Sequence, residues 1–209
     1  MQLFYKPGAC SLASHIVLNE LAFTFTLEKT DTAKAITASG IDYRTINPNG
    51  YVPALQTDDG DIITENTAIL QYLADSAPAA GLAPTPGTLA RTRLHEILSF
   101  LSTELHKAYG PYFSGEALAG ERKRAVERKL AARIDTLSAH LGDGRTYLLG
   151  EQYSVADAYA FVLLSWSFVI DHDLAQWPAL VAYFQRIRSR PAVVNAMTAE
   201  GLRAAELAS

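Results

Sequence analysis

The sequence predicts an α/β domain followed by an all-α domain, and three observations predict it. Short strand-like runs alternate with helical periods through the first 78 residues. The stretch "PAAGLAPTPG" (78–87) then has no period and is rich in Pro and Gly. Beyond it only long helical patterns occur. The expected partition is therefore 1–78, a linker at 79–87 and an all-α part at 88–209. With 209 residues, 49% of them hydrophobic, the chain is long enough to bury a core in each part.

The elements follow in order. "QLFYK" (2–6) reads as a strand, and the stretch from Ser11 to Leu21 has a helical period through Leu12, Ile16 and Leu18. "FTFTLEK" (23–29) alternates at first as a half-buried strand does, and a weaker helix is expected within 32–45. "VPALQTD", a "DG" turn and "DIIT" (52–64) read as a β-hairpin. "ENTAILQYLADSA" (65–77) is a helix with apolar positions 69, 70, 73 and 74. The order is βαβαββα, that of a thioredoxin-like domain, with parallel strands from the βαβ part and an antiparallel edge from the hairpin. In the second part Leu94, Ile97, Leu98, Leu101 and Leu105 mark one helix, and Val126, Leu130, Ile134, Leu137 and Leu141 another. A third begins at "SVADAYAF", where Ser154 and Asp157 have capping-box spacing, and a fourth covers "PALVAYFQRIRSR".

Charge and composition exclude some classes. Eighteen basic against 22 acidic residues, a net charge of −4, disfavour a phosphate-tracking nucleic-acid surface. The mixed-sign run "ERKRAVERK" (121–129) reads as a solvated helix face. "ADAYAFVLLSWSFVI" (156–170) is shorter than the ~20 residues a membrane span needs and contains Asp157. No signal peptide is visible, and a single cysteine allows no intrachain disulfide. The expectation is a soluble cytoplasmic protein with no metal, nucleic-acid or membrane partner.

Four signals carry chemistry. Cys10 lies between a strand and a helix, where helix N–H groups and the dipole favour a thiolate, although a lone cysteine is commonly a small buried hydrophobe. A redox partner would sit at position 13, which is Ala13, so a second thiol must come from outside, and glutathione is the obvious source. In "INPNGYVPAL" (46–55), Pro53 is either the first residue of an edge strand or the second half of a cis bond that turns Val52 outward to pair with a peptide. Glu65 and Asn66 either cap a helix or receive the ammonium and carboxylate of a ligand, groups that glutathione's γ-glutamyl end carries. His95, Ser99, Ser102 and His106 run at i, i+4, i+7 and i+11 as a polar face, solvated or turned to a ligand. His106 would then stabilise a thiolate.

"LFYKPGACSLASHI", "NPNGYVPAL", "TENTAILQYLAD", "ELHKAYGPYF" and "YSVADAY" together resemble the bacterial beta-class glutathione S-transferases, in order and through nearly the whole chain. The resemblance implies a glutathione-binding thioredoxin-like domain, an all-helical domain on the electrophile side, and a homodimer. It implies that Cys10 contacts glutathione sulfur or forms a mixed disulfide with it, with Ala9 alongside. Val52, before cis-Pro53, would pair with the cysteinyl backbone, and Glu65 and Asn66 would hold the γ-glutamyl end. From the helical part Ser99, Thr103, Glu104, His106 and Lys107 would complete the glutathione set, with Cys10 and His106 catalytic. Three positions depart from the class: Ala35 stands where a lysine is usual, with Lys34 beside it; Ser99 replaces Asn; and Asn66 replaces Gly or Ser. Tyr5 reads as strand packing. The expected activity is transfer of glutathione to electrophilic, disulfide or peroxide substrates. The alternatives are a non-catalytic binding or interaction protein, a ligand-storage protein, or a glutathione-dependent dehalogenase or isomerase.

Overall fold

A computed structural model describes residues 1–202. Two compact units arise, one from Met1–Ala83 together with the segment from Arg188 onward, the other from Pro84–Ile187. This grouping differs from the expected partition, 1–78, 79–87 and 88–209, in taking the last helix with the first unit. The last helix packs with the first unit, because α1 has two faces to cover.

The first unit is a five-stranded mixed sheet with helices. Its elements are β1 (Gln2–Tyr5), α1 (Ser11–Glu20), β2 (Thr26–Asp31), β3 (Ile36–Thr37), β4 (Ala54–Gln56), β5 (Ile62–Thr64) and α2 (Asn66–Ser76). Strand order is β3-β2-β1-β4-β5. β1 and β2 are parallel with Leu3 opposite Leu27, while β1 and β4 are antiparallel with Leu3 opposite Leu55. Leu3 and Leu55 are fully buried. This is the βαβ-plus-hairpin arrangement the periods imply.

The helix expected within 32–45 is replaced by β3 and one 3₁₀ turn, Tyr43–Thr45. Local polar side chains compete with a helix here. Asp31 accepts the N–H groups of Ala33 and Lys34, both at 3.1 Å, and Asp42 accepts that of Arg44 at 3.0 Å. Ala35 takes a left-handed φ of 53°, which no helix tolerates. It is also buried, so the class's lysine position faces inward; Lys34 is exposed and lies 3.6 Å from Asp31.

α1 is buried from Ser11 to Leu18 because it packs against both α2 and α8 (Pro191–Ala199). Arg190 grips Glu20 at the end of α1 through two hydrogen bonds of 2.6 and 2.9 Å, and Glu200 reaches His15 nearer its start. α8 therefore runs antiparallel to α1. It ends in a Schellman motif with Gly201 at φ 73°: the N–H of Leu202 donates to Met197 O and that of Gly201 to Thr198 O.

The second unit is helical. α3 (Leu89–Phe100) leads through a π-helical turn (Leu101–Leu105) into α4 (His106–Tyr109), followed by α5 (Gly120–His140), α6 (Val155–Val169) and α7 (Pro178–Arg188). α6 is buried from Val155 to Ser167, which explains its unbroken apolar run. Its one carboxylate, Asp157, is fully satisfied. Ser154 supplies its N–H and its hydroxyl at 2.8 Å each, Leu148 its N–H at 2.9 Å and Tyr183 its hydroxyl at 2.8 Å. The charged run on α5 pairs within itself, Glu121 with Arg124 and Arg128 and Lys123 with Glu127, as a solvated face does. Among the described residues no helix is long and apolar enough to cross a membrane, and no group of three or more His, Cys, Asp and Glu could hold a metal ion.

Candidate functional site

In the first unit the turn after β1 is closed by its own backbone. The N–H of Ala9 donates to Lys6 O at 3.0 Å, and the Ser11 hydroxyl lies 3.2 Å from both the N–H and the carbonyl of Lys6. Gly8 takes a φ of 70°, a conformation that suits glycine. The turn delivers Cys10 to the N-cap of α1, as expected.

The Cys10 thiol is half-buried and donates to the carbonyl of Val52 at 3.2 Å. The Val52–Pro53 bond is cis, the sharper of the two readings. Two side chains anchor the preceding loop on the carbonyl of Tyr51: the hydroxyl of Tyr43 donates at 2.8 Å and Nδ2 of Asn47 at 2.7 Å. Val52 packs on the cluster of Phe4, Tyr43 and Ala54. Asn47 and Tyr43 are supports the sequence reading missed; the "NPNG" turn was the only signal near them.

Burial pushes the Cys10 thiol up to about 12, and the negative charge of Glu65 adds to this; the N–H groups of Cys10 and Ser11 oppose it without cancelling it. The expected thiolate at the helix start is thus corrected. Desolvation exceeds the backbone's help, and the thiol carries its proton at neutral pH.

α2 starts beside this group. Glu65 sits at the N-cap with a φ of 67° and a ψ of 115°, a sparsely populated conformation that costs a glutamate about 1–3 kcal/mol. Its side chain makes no capping hydrogen bond, so plain capping by Glu65 does not account for it. Asn66 is buried; Oδ1 accepts the Ser14 hydroxyl at 2.8 Å, tying α2 to α1, and Nδ2 has no partner. Ala9, Cys10, Val52, Pro53, Glu65 and Asn66 are thereby brought together at the helix starts and the cis bond. Tyr5 is buried against the ring of His15, consistent with strand packing.

The helical unit holds the other expected residues. The face His95, Ser99, Ser102, His106 assumes one uninterrupted α-helix, and the π turn at Leu101–Leu105 breaks that register before His106. His95 instead accepts from Arg91 at 3.0 Å. Ser99 and Thr103 are exposed, and Thr103 donates back to the carbonyl of Ser99 at 2.9 Å. Glu104 is paired with Arg133 of α5 at 2.7 Å, and Lys107 is exposed. His106 stands apart from this face. Its Nδ1 lies 2.7 Å from the hydroxyl of Tyr159, and its ring meets Trp166 edge-on at 4.8 Å. Burial lowers its pKa to about 4, with Lys107 adding to the shift, so the imidazole is neutral near pH 7. Tyr109 and Phe113 also meet Trp166 edge-on, at 5.6 and 5.5 Å. Tyr159 was missed as a supporting residue; it lies inside the "YSVADAY" motif, where the helical period masked it.

Chemically, the first group offers a protonated thiol, a peptide edge at Val52 and a helix start next to a carboxylate. The second offers a neutral imidazole with Nδ1 engaged. Residues 8–76 match the family model for the glutathione S-transferase N-terminal domain, and residues 97–191 the one for the C-terminal domain. The chain is 41% identical to glutathione S-transferase GstA of Escherichia coli O157:H7, over 97% of this chain and 100% of that one. Among solved structures, the ternary complex of the bacterial transferase BphK superposes with a TM-score of 0.93 at 48% identity, covering 97% of this chain and 100% of that one. The beta-class enzyme of Sphingomonas chungbukensis gives 0.92 at 45%, and a sphingomonad glutathione S-transferase complexed with glutathione gives 0.91 at 47%, both with the same coverage.

Proposed function

We propose, from the premise that this chain belongs to the glutathione S-transferase family, that it binds glutathione next to Cys10 and uses the glutathione thiolate on electrophilic, disulfide or peroxide substrates. The observation that carries the reading is the Cys10 thiol donating to the Val52 carbonyl beside the cis Val52–Pro53 bond, with the start of α2 alongside. Val52 would pair with the cysteinyl backbone as an added strand does. The N-terminus of α2 at Asn66 would receive the γ-glutamyl carboxylate, and Glu65 its ammonium. Ala9 would lie beside the sulfur. From the helical unit Ser99, Thr103, Glu104 and Lys107 would complete the set, and His106, neutral and held through Nδ1, would offer Nε2 to the glutathione sulfur.

A protonated Cys10 works first as a hydrogen-bond donor, which stabilises a thiolate on glutathione. In disulfide chemistry its own thiolate would attack a sulfur of oxidised glutathione. A Cys10–glutathione disulfide forms, one glutathione thiolate leaves, and the proton of Cys10 passes to solvent. Conjugation of aryl halides would then be slow relative to thiol transfer.

The protein would act in the cytoplasm, in detoxification, as a homodimer. The test is intact mass after incubation with oxidised glutathione, with conjugation and disulfide reduction assayed in wild type and Cys10→Ala. One glutathionyl adduct, lost in the variant, is expected. A wild type that neither binds immobilised glutathione nor conjugates it would favour a non-catalytic binding protein. A Cys10→Ala enzyme that loses conjugation but keeps disulfide reduction would overturn the role given to the thiol.

A further inference from the structure

Tyr51 turns its side chain to solvent, 71% exposed, and its carbonyl inward. Two buried donors meet on that one oxygen, the Tyr43 hydroxyl at 2.8 Å and Nδ2 of Asn47 at 2.7 Å. Asn47 is held on every side. Its N–H donates to Tyr43 O and its carbonyl accepts the N–H of Gly50, both at 2.8 Å, while Oδ1 accepts the N–H of Asn49 at 3.1 Å. The Tyr43 ring is fixed by packing, its centre 5.9 Å from that of Phe4 on β1. The Tyr51–Val52 bond is trans. A trans peptide holds its carbonyl and the following N–H in one plane, pointing opposite ways. The grip on the Tyr51 oxygen therefore sets the direction of the Val52 N–H, which points away from Tyr43 and Asn47.

We propose that Tyr43 is a positioning residue for glutathione: with Asn47 it locks the Tyr51–Val52 peptide plane and so aims the Val52 N–H at the ligand backbone. The proposal rests on the reading that glutathione binds along Val52; the locking of the plane does not. Pairing with an added strand needs a donor and an acceptor held in fixed directions. At Val52 the acceptor is held by the Cys10 thiol at 3.2 Å, and the side chain packs on Phe4, Tyr43 and Ala54. The donor takes its direction from the Tyr51 oxygen. Turning that plane breaks two buried hydrogen bonds at once, so the edge is set before any ligand arrives. A plane free to turn would have to be ordered on binding, which weakens affinity. Neither Tyr43 nor Asn47 hydrogen-bonds to Cys10, so the effect falls on binding and not on the chemical step.

The experiment compares wild type, Tyr43→Phe and Asn47→Asp in full-length protein. Tyr43→Phe keeps the ring against Phe4 and removes only the hydroxyl. Asn47→Asp keeps an acceptor for the Asn49 N–H and sets its other oxygen against that of Tyr51. KM for glutathione is expected to rise about fivefold in Tyr43→Phe and about tenfold in Asn47→Asp, with kcat changed by less than about twofold. In amide NMR spectra of the free protein, the Val52 resonance is expected to move further than those of Phe4 and Ala54, which pack on the same ring. A merely structural role would move all three alike and lower kcat as well. Should one variant fail to fold, the other decides the question by the same readings. A wild-type KM in the folded variants, or a Val52 amide that does not move, would overturn the proposal. A wild type that does not bind glutathione, while the Val52 amide still moves in the variants, would sink the functional reading and leave the locked plane standing.

Discussion

Tyr159 and His106 are joined by a 2.7 Å hydrogen bond between a phenol hydroxyl and an imidazole Nδ1, with Trp166 meeting the imidazole edge-on. The bond fixes the ring's rotation and commits one nitrogen. Tyr159→Phe is expected to lower stability by about 1–2 kcal/mol. It should also lower kcat with glutathione more than it raises KM, because the ring is freed and not removed. Thermal unfolding and steady-state kinetics on the same preparation check both. An unchanged kcat would remove His106 from the mechanism.

The depressed pKa of His106 has a pH consequence. Between its ordinary value of 6.5 and its folded value of about 4, the unfolded chain binds a proton here that the folded chain does not. Stability therefore falls as pH drops through that window, by up to about 1.4 kcal/mol per pH unit from this one group. His172 is lowered too, so the expected signature is the difference between wild type and His106→Phe. Urea midpoints at pH 7, 6, 5 and 4 should show a shallower loss in the variant.

Cys10 titrates the other way. Its thiol is held protonated below its folded value of about 12. The stabilisation this gives is complete below the thiol's ordinary value and lost as pH rises toward the folded one. Alkylation should climb roughly tenfold per pH unit from pH 7 with no plateau by pH 10, since only the thiolate reacts. A plateau near pH 7 would show a thiolate already formed.

Asp157 is the buried charge whose removal should cost most. Four donors converge on it, and all would lose their acceptor in Asp157→Ala. A loss of about 3–5 kcal/mol is expected from urea denaturation, with Ser154→Ala costing about 1 kcal/mol. A small loss in Asp157→Ala would mean that the donors find other acceptors.

Much of this was legible in the residues because it is local. The strands, the hairpin, α2 and the Ser154–Asp157 cap each rest on spacings within one or two turns. Cys10 and Glu65 were readable as positions, since each marks a helix start. What was not legible depends on what surrounds a residue. The 32–45 segment has no strong period, so Asp31 and Asp42 decided it through short-range hydrogen bonds. The π turn inserts its extra residue without any signature in "LSTEL", and so moved His106 off the expected face. The raised thiol pKa comes from burial by segments far apart in sequence, which the dipole argument left out. Glu200 meets Gly8 across 192 positions, and no periodicity links them.

The position of α8 bears on how the molecule is made. The helical unit is, in effect, a long insertion into a sheet unit that only residues beyond 187 complete. Domains fold during synthesis as their last piece emerges. Here the sheet, α1 and α2 leave the ribosome first, yet α1 keeps one side uncovered until the whole of Pro84–Ile187 has been translated. The reactive turn is therefore finished last, although its residues are among the first to be made.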